Sequence, residues 1–306
     1  MEPTIKNILF PTDFSYLGNH TLQIAIELCR QHGAVLHLLH VVENRYIING
    51  SDKGISLPSM LQEIDAEARA ELYNIYESVI SNNDITVQIH MPTGIPFDEI
   101  CKAAEEMPID LIVMGTHGAS GYSKFFIGTT AYNVIKNTTK PVLTVPGYFE
   151  KTSFNKILFA VRPQEEIKDK FNYLETLLCA NTECSVHIAA FFEKELELDL
   201  QSNNDTLRNM LSCIKNSSLH YTQKVYNGKN YAGKVEELTE SLKPDLIVIN
   251  ATLDYIWTQF FVCPHTRQVL NQARVPVLSY RQGINVCAEI KKRKSEDLVK
   301  KRSVFQ

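Results

Sequence analysis

The sequence predicts an α/β protein made of two tandem copies of one open parallel sheet, with helices on both faces. Three observations predict it. Short apolar runs rich in β-branched residues alternate with segments whose apolar residues recur at steps of three and four, as buried strands alternate with covering helices. The run at 111–114 is Leu-Ile-Val-Met, and Gly115, a polar glycine-rich loop and a helical pattern from Gly128 follow it. In open α/β sheets, ligands bind beyond the C-terminal ends of strands, where this loop lies. The whole pattern then begins again near residue 155.

In order, residues 5–10 form a first strand, and Pro11, Thr12 and Asp13 lie in the loop after it. Residues 21–31 carry a helical stripe of Leu22, Ala25, Ile26 and Cys29, and Gly33 ends that helix. Residues 34–42 form a second strand, and 43–58 a loop rich in Asn, Gly and Ser. Leu61, Ile64, Ala68, Leu72, Ile75 and Val79 mark a long helix. A third strand at 86–91 precedes a helix at 96–107 that opens on a proline. The fourth strand, the glycine loop, a helix at 128–137 and a fifth strand at 142–145 complete the first copy.

The repeat is explicit. Residues 155–159 (Asn-Lys-Ile-Leu-Phe) echo 6–10, 244–249 echo 109–114, and 275–278 echo 140–143. From Asp110 and Asp245 onward the halves align without a gap. Two copies of about 150 residues each follow, with expected bounds of 1–149 and 150–285 and a basic segment at 286–306. That segment holds two short lysine and arginine clusters and reads first as a solvated terminus, with an anionic partner or surface as the alternative.

The net charge of −4 argues against general nucleic-acid binding through a basic surface. Seven scattered cysteines without a Cys-x-x-Cys pair read as reduced thiols of a cytoplasmic protein. The N-terminus leads straight into a strand, and no apolar run approaches the roughly 18 residues that span a membrane. The nine histidines show no zinc spacing; His37 and His40, three apart on one strand, point to opposite faces.

The loop carries the chemistry. Its spacing is Gly115-x2-Gly118-x9-Gly128-Thr129. Gly115 and Gly118 have the freedom for φ > 0 and for close backbone approach, and Gly128 leaves room at the helix mouth. Thr129 and Thr130 are placed to cap the helix, whose free N–H groups and dipole favour a phosphate. The bland alternative is a glycine-rich turn. The spacing resembles the nucleotide-binding motif of the universal stress protein family, Gly-x2-Gly-x9-Gly-(Ser/Thr), and the match includes the flanking strands. This resemblance, once per half, implies sheet order 3-2-1-4-5, the halves packed as a pseudo-dimer, and ATP (with AMP or ADP as alternatives) as ligand, with Mg²⁺ accompanying it through the phosphates. A homodimer is a further possibility.

Carried over residue by residue, the resemblance places Pro11, Thr12 and Asp13 at the adenosine end, with Asp13 near the ribose. An N-cap of the first helix is the alternative for Asp13. Val41 corresponds to the position holding adenine, with core valine as the alternative. Met114, Gly115, His117, Gly118, Gly128, Thr129 and Thr130 surround the phosphates. His117 reads as a phosphate or loop contact, since no partner set for a general base is evident; Lys124 reads equally as a phosphate contact or a solvated lysine. The second copy departs from the motif: Gly115, Gly118, Gly128, Thr129 and Asp13 become Asn250, Leu253, Cys263, Pro264 and Arg162, and residues 253–257 crowd the phosphate space. The leading reading is a regulatory ATP-binding protein with one competent site. A slow ATPase or nucleotide hydrolase, and a protein that only serves an interface, remain as alternatives.

Overall fold

Each strand of the first half alternates its side chains between two apolar layers, and that alternation fixes where the helices lie. The computed structural model describes residues 5–15, 18–43, 57–116, 127–162, 168–178, 183–192, 207–208, 211–212, 219–228, 230–250, 253–254, 261–262 and 264–280. The elements are β1 (Asn7–Pro11), α1 (Gly18–His32), β2 (Val35–Leu39), β3 (Val42–Glu43), α2 (Leu57–Asn82), β4 (Val87–His90), β5 (Thr93–Gly94), α3 (Pro96–Glu106), β6 (Leu111–Gly115), α4 (Thr129–Asn137) and β7 (Val142–Val145). There follow β8 (Lys156–Val161), α5 (Lys168–Leu177), β9 (Ser185–Phe192), β10 (His220–Asn227), α6 (Tyr231–Leu242), β11 (Leu246–Asn250), β12 (Leu253–Asp254), β13 (Phe261–Val262), α7 (Pro264–Gln272) and β14 (Val277–Tyr280). The basic segment at 286–306 lies outside the described residues.

The expected pair of five-stranded sheets is one ten-stranded sheet, in the order β10-β9-β8-β11-β14-β7-β6-β1-β2-β4. Neighbours are parallel within each half, and the halves join where β14 runs antiparallel to β7. Ile8, Phe10, Leu111 and Val113 face a layer filled by Leu22 and Cys29 of α1, Leu72 and Val79 of α2, and Phe171 and Leu174 of α5. Leu9, Ile112 and Met114 face the opposite layer, filled by Ile100 of α3, Val134 of α4, Val235 of α6 and Leu270 of α7. Each layer runs unbroken across both halves.

Helix ends follow local chemistry. Gly33 takes φ 63° after α1, and the Ala34 N–H bonds Cys29 O at 2.9 Å, a left-handed cap that only glycine adopts freely. α3 begins with Pro96, whose missing N–H costs nothing in a first turn. The strand expected at 34–42 breaks at His40 and Val41 into β2 and β3, and β3 pairs with β5.

Two acids hold the sheet's first strands. Asp110 Oδ2 accepts from the N–H groups of Lys6 (2.8 Å) and Asn7 (3.0 Å). Asp245 repeats the device: its Oδ2 accepts from Asn155 and Lys156, both at 3.1 Å, while Oδ1 pairs with Lys151. Asp245 is buried, its side chain 6% exposed, so losing its carboxylate takes the acceptor from two backbone N–H groups, while the exposed Lys151 ammonium returns to water. Asp245→Ala is expected to destabilise the chain by about 1–3 kcal/mol, and Asp110→Ala by less because the Asp110 carboxylate is only half-buried. Chemical denaturation of the two variants checks the ranking.

Candidate functional site

The C-terminal ends of β1, β2 and β6 meet the N-terminus of α4. Beyond β1, the Thr12 N–H bonds Leu39 O at 2.8 Å, and Thr12 O accepts from His40 Nδ1 at 2.9 Å. The carboxylate of exposed Asp13 accepts the Ser15 N–H at 3.1 Å, an Asx turn. Asp13 is therefore not the helix N-cap weighed from the sequence: α1 starts at Gly18, behind a turn closed by Gly18 N–H to Ser15 O at 3.0 Å. Between them Phe14 holds φ 61°, a left-handed backbone that a bulky residue enters only at a cost. Two contacts fix it there: its N–H bonds Thr12 Oγ1 at 3.1 Å, and its ring stacks on His40 with centroids 4.1 Å apart. Pro11 ends β1 in register with Leu39.

Val41, Met114 and Ile127 are buried in one apolar cluster with Leu39. Gly115 is the last residue of β6, in register with Val145, and its φ is not positive. Thr116 then donates to Val145 O at 3.0 Å and accepts the Gly128 N–H at 2.7 Å. Thr116 and Gly128, on either side of residues 117–126, are thus joined directly. His117 and Gly118, with Tyr122, Lys124, Phe125 and Phe126, lie outside the described residues.

Gly128 is the N-cap of α4, at φ −59° and ψ 151°, and among the described residues no side-chain cap bond is made. This corrects the capping role expected of Thr129 and Thr130, which are the first two helical residues. What glycine offers at 115 and 128 is the missing Cβ, not a left-handed turn. An N-terminus without a side-chain cap keeps N–H donors and the positive end of the dipole available to an anion.

The second half puts different chemistry at each equivalent place. β11, α7 and β14 each sit 135 residues after β6, α4 and β7, bound for bound. Asn250, at the position of Gly115, is buried. Leu253, at the position of Gly118, lies in β12, which pairs antiparallel with β13, a pairing the sequence pattern did not reveal. Pro264 opens α7, and Cys263 lies outside the described residues.

At the other end, Leu9 registers with His37, and Leu158 with His187, so Phe191 stands where Val41 does. Phe191 meets the Tyr231 ring edge-on at 4.7 Å and stacks on Tyr226 at 5.5 Å; Arg162, at the place of Asp13, lies 5.9 Å over Tyr231. Aromatic side chains fill this end of the second half. Sequence reasoning missed them, although aligning His187 with His37 pairs Phe191 with Val41.

Near the first-half site His37 is buried between two partners. Its Nε2 donates to Asn7 Oδ1 at 3.1 Å, so neutral Nδ1 accepts from His90 Nε2 at 3.0 Å. His37 and His40 go to separate partners, and among the described residues no group of three His, Cys, Asp or Glu is placed to hold a metal. Among the same residues, no helix is long and apolar enough to cross a membrane.

A doubly wound α/β protein with one glycine at the end of β6 and another at the N-cap of α4 is the class these elements define. The sequence profile of the universal stress protein family matches residues 4–146. A universal stress protein of Methanocaldococcus jannaschii is 30% identical over 158 residues, covering 47% of this chain and 97% of the relative. Universal stress protein A homolog 1 of Coxiella burnetii is 30% identical over 141 residues, 46% of this chain and 95% of the relative. The chain belongs to the universal stress protein family, and relatives of this size span about half of it. A universal stress protein of Archaeoglobus fulgidus shares the fold nearly end to end: TM-score 0.71 at 18% identity, covering 92% of this chain and 98% of that one.

Burial lowers the His37 pKa, and the neighbouring His90 lowers it further; burial also lowers that of His90. A depressed histidine pKa means the unfolded chain binds more protons, so stability falls as pH drops below the usual value of about 6.5. The melting temperature is expected to fall between pH 7.5 and 5.5, and His90→Gln to flatten that slope. A slope unchanged by the substitution assigns the effect to other groups, of which His32 and His187 also have lowered pKa values.

Proposed function

We propose that this universal stress protein binds ATP at one site per chain, in the first of two domains (1–149 and 150–285), and acts as a regulatory protein in the stress response rather than as a catalyst. One observation carries the reading. The sequence motif Gly115-x2-Gly118-x9-Gly128-Thr129 has its first glycine at the end of β6 and its third at the N-cap of α4, where no side-chain cap bond is made among the described residues. Its second-half counterpart carries Asn250, an antiparallel strand pair and a proline instead.

The residues present fit a nucleoside triphosphate. Val41, Met114 and Ile127 offer an apolar wall for the base. Pro11, Thr12 and Asp13 approach from the end of β1, with the exposed Asp13 carboxylate able to accept from a ribose hydroxyl. Gly115 and Gly128 leave backbone accessible, and the N–H groups of Thr129 and Thr130 face anionic oxygens at the helix mouth. His117 and Gly118 complete the phosphate end in this reading. A Mg²⁺ ion would ride on the phosphates with few protein ligands. At the place of Val41 the second half has Phe191, packed against the rings of Tyr226 and Tyr231.

Calorimetric titration of the full chain is expected to give one ATP per chain; two equal sites overturn the asymmetry. Gly128→Cys and Gly118→Leu, each importing the second-half residue, are expected to reduce affinity roughly a hundredfold or more with little change in melting temperature. Rapid, magnesium-dependent phosphate release that His117→Ala abolishes would make the protein a hydrolase instead.

A further inference from the structure

The second half reaches into the first at the turn that opens α4. Asn271, on α7, accepts the Ile127 N–H through Oδ1 at 2.9 Å. The next N–H, of Gly128, goes to Thr116 O at 2.7 Å. Two consecutive amides before the helix are thus fixed, one by the end of the first half's own strand and one by the other half. One turn away, the Arg267 guanidinium lies 5.0 Å over the Tyr132 ring, a second bridge between α7 and α4.

These bridges differ in symmetry. Arg267 and Tyr132 are equivalent positions of the repeat, 135 residues apart, and meet across the seam between the halves. The Asn271 bond has no equivalent. The repeat relates Asn271 to Lys136 and Ile127 to Val262, and a lysine has no acceptor to offer a backbone N–H. The support therefore runs one way, from the half without the glycine motif to the half that has it.

We propose that Asn271 is a positioning residue for the phosphate-binding turn of the first half, supplied by the second half. This rests on the nucleotide reading of that turn. Asn271 does not touch the ligand; it holds Ile127, and through it the Gly128 N-cap and the first N–H donors of α4, at one height relative to β6. A fixed turn presents its donors without ordering on binding, which is how preorganisation raises affinity. The same bond makes the fit between the halves part of the binding equilibrium, so a partner that shifts α7 changes nucleotide affinity without entering the site. The second copy thereby acts as the built-in support of the first.

Two readouts on the full-length chain test this. Hydrogen exchange at the Ile127 amide in the nucleotide-free protein is expected to accelerate in Asn271→Ala and to stay slow in Asn271→Asp, which keeps an acceptor oxygen. ATP affinity by calorimetry is expected to fall about threefold to tenfold in Asn271→Ala, the range that the loss of one hydrogen bond allows. Adenosine, which lacks phosphates, is expected to lose less. Unchanged Ile127 exchange overturns the bond. Faster exchange with unchanged ATP affinity, or equal losses for ATP and adenosine, overturns the positioning role. An unsubstituted chain that takes up no ATP overturns the nucleotide reading, and the role of Asn271 falls with it.

Discussion

The antiparallel pairing of β7 with β14 is the contact on which the rest of the molecule depends. Val142, Leu143 and Thr144 register with Ser279, Leu278 and Val277, and Thr144 Oγ1 adds a bond to Val277 O at 3.2 Å. Leu143 and Leu278, 135 residues apart in sequence, face each other at the centre of this pairing. A strand edge left open exposes unpaired N–H and C=O groups and invites association. Here each fifth strand closes the other, and no fifth-strand edge is left for a second chain. Both apolar layers then cross the seam, and polar bonds tie them: Tyr173 OH donates to Asp110 O at 3.0 Å, and His32 Nε2 donates to Leu177 O at 3.2 Å.

This constraint explains how one copy can lose its motif while keeping its strands. The surfaces of β14, α5 and α7 are needed by the first half whether or not the second half binds anything. The ring contacts of Phe191 with Tyr226 and Tyr231 add packing to the second half at the place of Val41. Joining the copies in one chain keeps the partner surface present at any dilution.

Much of the fold was legible in the sequence because periodicity reports which faces are apolar. β7 was located to the residue, α4 to within one, and the left-handed cap at Gly33 followed from one glycine. The places of two motif glycines were legible from their spacing: Gly115 ends β6 and Gly128 precedes α4. The candidate site was not legible where a backbone conformation or a tertiary partner decides. Nothing in the pattern around Phe14 signals φ 61°; its stacking on His40 and its bond to Thr12 do. The cap weighed as the alternative for Asp13 is not made: α1 begins five residues later, and the carboxylate serves a tighter turn. β12 and β13 hold two residues each, too short for alternation to show. The role of Asn271 depends on a neighbour 144 residues away.

The central claim is that the second half is the structural partner of the first. Residues 1–149 expressed alone, with mass in solution and melting temperature measured together, test it most directly. The account predicts that this fragment self-associates through the freed edge of β7, or melts well below the full chain. A stable monomer that melts with the full chain would contradict it.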